Sequence, residues 1–211
     1  MKKQLLSALV LVLPFLASAQ TTIDNVQLGF TATPNIGWLR FNDDDAGTSS
    51  DGGRIGFSYG VLGDFSLAQN QNYYFATAFT VTTINGKANI QTDASLSNPI
   101  YKIQYIEVPL TLKLKSNPQE TGRFYGQFGL GTGIKIGAKQ GGIAGSDDVN
   151  ISKKINNFRL SLIAGGGAEW QIDKNMALLT GLTFNNGFTD ILDRSGNAKS
   201  SYIAFNLGIF F

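Results

Sequence analysis

The chain of 211 residues has no cysteine and no histidine, and only 15% of it is charged. Without cysteine there is no disulfide and no thiol for a lipid anchor. Without histidine the commonest general base and the commonest transition-metal ligand are both missing. Histidine-dependent hydrolases and acyltransferases are therefore excluded. Gly56-Phe57-Ser58-Tyr59-Gly60 fits the G-x-S-x-G pattern, but that nucleophile works on a strand-to-helix elbow with a histidine in reach. Here the five residues continue a strand pattern. Charge falls well below the ~25% of ordinary soluble domains, and no apolar run reaches the ~20 residues of a membrane-spanning helix.

The longest apolar run lies at the start. Lys2 and Lys3 precede Leu5 to Leu16, and Ala17-Ser18-Ala19 forms a small-residue box before Gln20. This is the order of an export signal, with cleavage expected between Ala19 and Gln20. Removing residues 1–19 takes Lys2 and Lys3 from the 17 basic residues and leaves all 15 acidic ones. The mature chain, residues 20–211, is then formally neutral, which gives no reason to expect nucleic acid, and is expected to be one domain.

What the sequence has in abundance is alternation. At the C-terminus Ile203, Phe205, Leu207, Ile209 and Phe211 occupy every second position. A period of two places them on one face of a strand. The same period predicts eight strands near Val26–Leu39, Arg54–Leu67, Tyr73–Ile84, Ile100–Lys115, Arg123–Gly137, Phe158–Ile172, Met176–Phe188 and Ser201–Phe211. Short connections (68–72, 116–122, 173–175) alternate with long ones (41–53, 85–99, 138–157, 189–200). That is the habit of an up-and-down barrel with turns on the periplasmic side and loops outside. An even strand count puts both termini in the periplasm.

The faces are inverted relative to a soluble protein. Ile55, Phe57, Tyr59, Val61 and Phe65 share one face of the second segment, and Ile106, Val108, Leu110, Leu112 and Leu114 one face of the fourth. The opposite faces collect Arg54, Asp64, Glu107, Lys113, Arg123, Lys135, Arg159 and Glu169. In a soluble barrel those charges would be stranded in an apolar core at several kcal/mol each. The pattern predicts an all-β fold: an eight-stranded antiparallel transmembrane barrel, apolar outside and charged inside. Trp38, Tyr73, Trp170 and Phe188 fall near segment ends, where amphipathic rings favour the lipid–water boundary.

Glu107 sits near the middle of the fourth strand on the inward face. A buried carboxylate needs a cationic partner or becomes neutral. Arg159 is the first choice because a guanidinium can bind it in two places; a water-solvated carboxylate is the alternative. Gly126, Gly129, Gly131, Gly133 and Gly137 lie along one strand, not at a strand–helix junction, so they leave room inside a narrow barrel and do not bind phosphate. Asp43-Asp44-Asp45 with Asp51 lacks the distal glutamate of a calcium loop. It reads as a solvated external loop, with weak divalent-cation binding as the alternative.

The run Tyr105-Ile106-Glu107-Val108-Pro109-Leu110-Thr111-Leu112-Lys113-Leu114-Lys115 resembles the characteristic stretch of PorT-like outer-membrane barrels of Bacteroidetes-type bacteria. The resemblance implies an integral outer-membrane protein, and the founding member's association with type IX secretion makes an accessory secretion or assembly role one alternative. The terminal strand resembles the signal read by the barrel-insertion machinery, which would use Phe205, Leu207, Ile209 and Phe211. Pro109 lacks the N–H of a barrel ladder, so a bulge or local break is expected there.

The expected function is that of a non-enzymatic barrel without cofactor or metal. It would meet outer-membrane lipid and lipopolysaccharide through its wall, and a protein or surface partner through its loops. Eight strands leave an interior that side chains can fill, so a passive channel is the weaker alternative.

Overall fold

The computed structural model describes residues 26–41, 48–67, 72–92, 95–141, 148–191 and 198–211. The signal segment with Ala19 and Gln20, and the acidic run Asp43-Asp44-Asp45, lie outside the described residues. Eight long strands follow one another: β1 (Val26–Phe41), β2 (Thr48–Ser66), β3 (Tyr73–Thr92), β4 (Ile100–Lys115), β5 (Gly122–Gly141), β6 (Phe158–Asp173), β7 (Met176–Gly187) and β8 (Ala198–Phe210). Each pairs antiparallel with its neighbours in sequence, and β1 pairs with β8, from Gly29↔Phe210 to Phe41↔Ala198. The sheet therefore closes on itself and no barrel strand keeps an open edge, which a lipid surround requires.

The alternation has its expected result. Ile55 is 77% exposed and stands beside exposed Phe57, Tyr59 and Val61 on the wall. Exposed Phe124, Phe128, Leu130 and Ile134 on β5, and Ile203, Phe205, Leu207 and Ile209 on β8, continue the belt. A contiguous apolar surface of this extent is foreign to soluble monomers. Tyr73 and Trp170 mark the end with short turns, Phe188 the end with long loops, and there Trp38 stacks on Phe184 at 6.2 Å. At the turn between β4 and β5, Gly122 has φ +144 and a Cβ would stand 2.0 Å from the Glu169 carbonyl oxygen. Only glycine fits there.

Two features differ from the sequence reading, and at Pro109 one of its two alternatives is found. Residues assigned to long loops are partly strand: β2 begins at Thr48 and β3 runs to Thr92, paired as Thr48↔Ile90. Two short ribbons, Ser95–Ser97 on β3 and Val149–Asn150 on β5, extend the wall further at the loop end. At Pro109 there is a local break without a bulge. Thr77↔Leu110 and Thr80↔Glu107 keep one register on either side of it, and Thr77 Oγ1 donates to the Pro109 carbonyl at 2.7 Å. The register shift on β4 lies instead at Gln104/Tyr105, opposite Lys135 and Gly137.

Candidate functional site: a lumen closed in layers

The inward faces of the strands form stacked layers. At the loop end, Leu39, Ile84, Ile103, Ala138 and Ala198 from the wall pack with Ile151, Ile155 and Ile191 from the long connections. These connections fold back over the mouth and bury their isoleucines inside it. Lys135 Nζ donates to the carbonyls of Ser152 and Ile155, which ties down the 3-10 turn Ser152–Lys154. The lid is thus an apolar core supplied by sequence that reads as loop.

Beneath it lies a layer centred on Arg159, the largest fully buried side chain. Its Nη1 donates to Glu107 Oε1 at 2.8 Å, its Nη2 to Asn185 Oδ1 at 2.7 Å and to the Ser200 carbonyl at 3.0 Å, and its Nε to Ser200 Oγ at 3.0 Å. Tyr202 donates its hydroxyl to the second Glu107 oxygen at 2.8 Å and accepts from Asn185 Nδ2 at 3.0 Å. Both carboxylate oxygens are thereby engaged. Burying a charge requires this degree of satisfaction. Glu107, Gly133 and Arg159 lie in one row across β4, β5 and β6. Because Gly133 has no side chain, the two charged groups meet over its backbone.

Towards the turn end a second ionic layer crosses the lumen. Lys113 Nζ lies 2.7 Å from Asp64 Oδ2, and Lys115 Nζ lies 2.9 Å from the same atom and 2.8 Å from Glu169 Oε1. Lys113 also approaches Glu169 at 3.6 Å. Asp64 on β2 and Glu169 on β6 come from opposite walls, and the two β4 lysines bridge them. Two cations and two carboxylates make the group neutral. Lys115 Nζ stands 4.0 Å from the Tyr74 ring centroid and 5.4 Å from that of Phe210. Ring faces of this kind offset part of the lost hydration of an ammonium.

Between the ionic layers is a cavity of about 120 Å³, lined by hydroxyl and amide groups such as Thr80, Thr82, Gln127 and Asn206 and by apolar side chains such as Leu62, Ile163 and Leu179. It is large enough to admit water. Asn206 Nδ2 donates to Thr183 Oγ1 at 2.6 Å, so the lining is partly bonded to itself. Ser58 of the G-x-S-x-G run is buried on a continuing strand and accepts from Asn35 Nδ2 at 3.3 Å. Among the described residues no group of three or more acidic side chains is placed to hold a metal.

Of the eight inward charges, the structure brings five into the two layers: Asp64, Lys113 and Glu169 in one, Glu107 and Arg159 in the other. Arg123 is half-buried at the turn end and bonds the Tyr74 hydroxyl. Two assignments need correction. Arg54 has inward parity but lies beside the register shifts of β2 and is exposed at the loop-end rim. Lys135 is half-buried and turns its ammonium to the loop carbonyls of Ser152 and Ile155. Lys115, Tyr202, Asn185 and Ser200 were not read as site residues. Lys115 shares the parity of Glu107 and Lys113, so alternation alone could have placed it inside; the other three are polar residues that reveal a role only once Arg159 reaches them.

The outer membrane protein beta-barrel domain family matches residues 18–193. This chain belongs to that family. Its members' location makes it an integral outer-membrane protein, consistent with the lipid-facing wall. Among solved structures, neisserial surface protein A is similar at 15% identity, covering 87% of this chain and 95% of that one, with a TM-score of 0.49. The attachment invasion locus protein Ail of Yersinia pestis is similar at 13% identity over 89% and 98%, with a TM-score of 0.40. The outer membrane protein AlkL is similar at 11% over 91% and 93%, with a TM-score of 0.45. No curated protein matches the chain.

Proposed function

We propose that this protein is a closed, non-enzymatic barrel that acts through its outer wall and its long loops, with a lumen serving only to hold the wall together. The supporting observation is that the lumen is crossed by two complete ionic layers under an apolar lid. A channel needs a continuous wet path, and each layer interrupts one with buried, mutually satisfied charges. The start of β1 at Val26 and the end of β8 lie at the rim where β2 meets β3, β4 meets β5 and β6 meets β7, which in this reading faces the periplasm. The exposed row Phe205, Leu207, Ile209 and Phe211 would present the surface read by the insertion machinery.

Conductance tests the reading directly. Purified protein in planar bilayers is expected to show no stable single-channel steps. Large, long-lived steps from the wild-type barrel would overturn it in favour of a passive channel. The PorT-like branch rests on the resemblance carried by the Tyr105–Lys115 run, and a secretion defect in a deletion strain is the result that would bring an accessory role forward.

A further inference from the structure

The wall carries cations where a membrane strand normally avoids them, and it does so at one end only. Arg40 on β1 and Lys199 on β8 are directly paired residues, and so are Lys102 on β4 and Lys139 on β5. All four alternate with buried neighbours (Leu39, Ala198, Ile103, Ala138) and so point outward, at the loop-end rim. Like charges placed directly opposite across an antiparallel pair are destabilising. Here the arrangement occurs twice. Among the described residues no carboxylate pairs with Arg40, Lys199 or Lys139; Lys102 has exposed Asp148 at 2.9 Å. Arg40 spends one nitrogen on Asn186 Oδ1 at 2.6 Å and the Gly187 carbonyl at 3.2 Å, which fixes its guanidinium against the wall. At the opposite rim the exposed wall residues Tyr73, Leu114, Phe124, Trp170 and Ile172 are uncharged.

From this placement we infer that the two like-charge pairs are binding sites for the phosphate groups of lipopolysaccharide packed around the loop-end rim. The inference rests on the integral-barrel reading above. Two features select a lipid over a protein partner. The pairs sit on opposite sides of the ring, β8/β1 and β4/β5, and only the surrounding lipid reaches both. The β8/β1 pair also stands directly beyond the Trp38–Phe184 stack, at the level where aromatic rings meet headgroups. A phosphate oxygen cluster between two cations would supply a counter-charge through charge-assisted hydrogen bonds.

The test titrates the detergent-purified barrel with lipopolysaccharide, with its dephosphorylated form and with inorganic phosphate, reading bound lipid by native mass spectrometry. Wild-type protein is expected to hold the phosphorylated lipid at least about tenfold more tightly than the dephosphorylated one, a difference of ~1.4 kcal/mol. Arg40→Gln with Lys199→Gln should remove one bound lipid, and adding Lys102→Gln with Lys139→Gln should remove the other. Heat-modifiable migration on gels checks that each variant is still a folded barrel. Equal binding by the fourfold variant, or equal binding of the dephosphorylated lipid, overturns the assignment. Displacement of the lipid by millimolar inorganic phosphate also overturns it, since a plain anion site would then suffice. A failure of the closed-lumen reading would appear as conductance and leave these lipid counts unchanged.

Discussion

The two ionic layers close the same lumen by opposite means. Around Arg159 a single planar cation makes four hydrogen bonds to Glu107, Asn185 and Ser200, and everything in the layer depends on it. Near the turns two flexible ammonium groups share two carboxylates, and each lysine is within 4 Å of both acids. The difference follows from the side chains. A guanidinium has a fixed fork of donors and suits a directional hub, whereas an ammonium is a point charge that can be shared. The arginine layer should therefore be brittle and the lysine layer tolerant.

Replacing Arg159 with Met tests the brittle half and carries the largest expected effect. It leaves Glu107 buried without its cation, which costs about 3–5 kcal/mol. Urea unfolding of the barrel in lipid vesicles should show that loss, and adding Glu107→Gln should restore a substantial part of it. Full-strength stability in Arg159→Met would mean that the hub is decorative.

A smaller effect is expected from Lys115→Met. Lys113 stays 2.7 Å from Asp64 and 3.6 Å from Glu169, so no acid is left wholly alone. A loss of about 1–3 kcal/mol is expected, of the size of a hydrogen bond to a charged group. A loss equal to that of Arg159→Met in the same unfolding series would abolish the distinction between the layers.

The smallest effect sharpens the account of how the hub is reached. A Cβ at Gly133 would lie 3.4 Å from Glu107 Cγ and 3.5 Å from Arg159 Cβ, ordinary contact distances. Gly133→Ala should change stability by no more than about 1 kcal/mol, while Gly133→Leu fills the space over which the pair meets and should cost about 1–3 kcal/mol. Identical unfolding midpoints for the two variants would show that the gap at Gly133 is not needed.

Much of this architecture was legible because strand parity is local. Glu107, Lys113 and Thr111 share one face of β4 and Leu110, Leu112 and Leu114 the other, and no tertiary contact can alter that without a bulge. The lid was not legible. Ile151, Ile155 and Ile191 lie in connections with no period to read, and their burial comes from folding back over the mouth. Arg54 and Lys135 have the right parity and still stay out of the layers, because each lies next to a register shift near the rim.

Alternation in the sequence determined that the wall would be apolar, that charges would point inward and that the chain would form strands able to cross a membrane. The closed tertiary structure decided which of those charges would meet. Asp64 and Glu169 are 105 residues apart in the chain and sit on opposite walls. They share two lysines because ring closure and register bring their levels together, and neither quantity is written in any local stretch of residues. Parity is a property of each strand's own backbone; height and angular position around the barrel are properties of all eight strands paired at once.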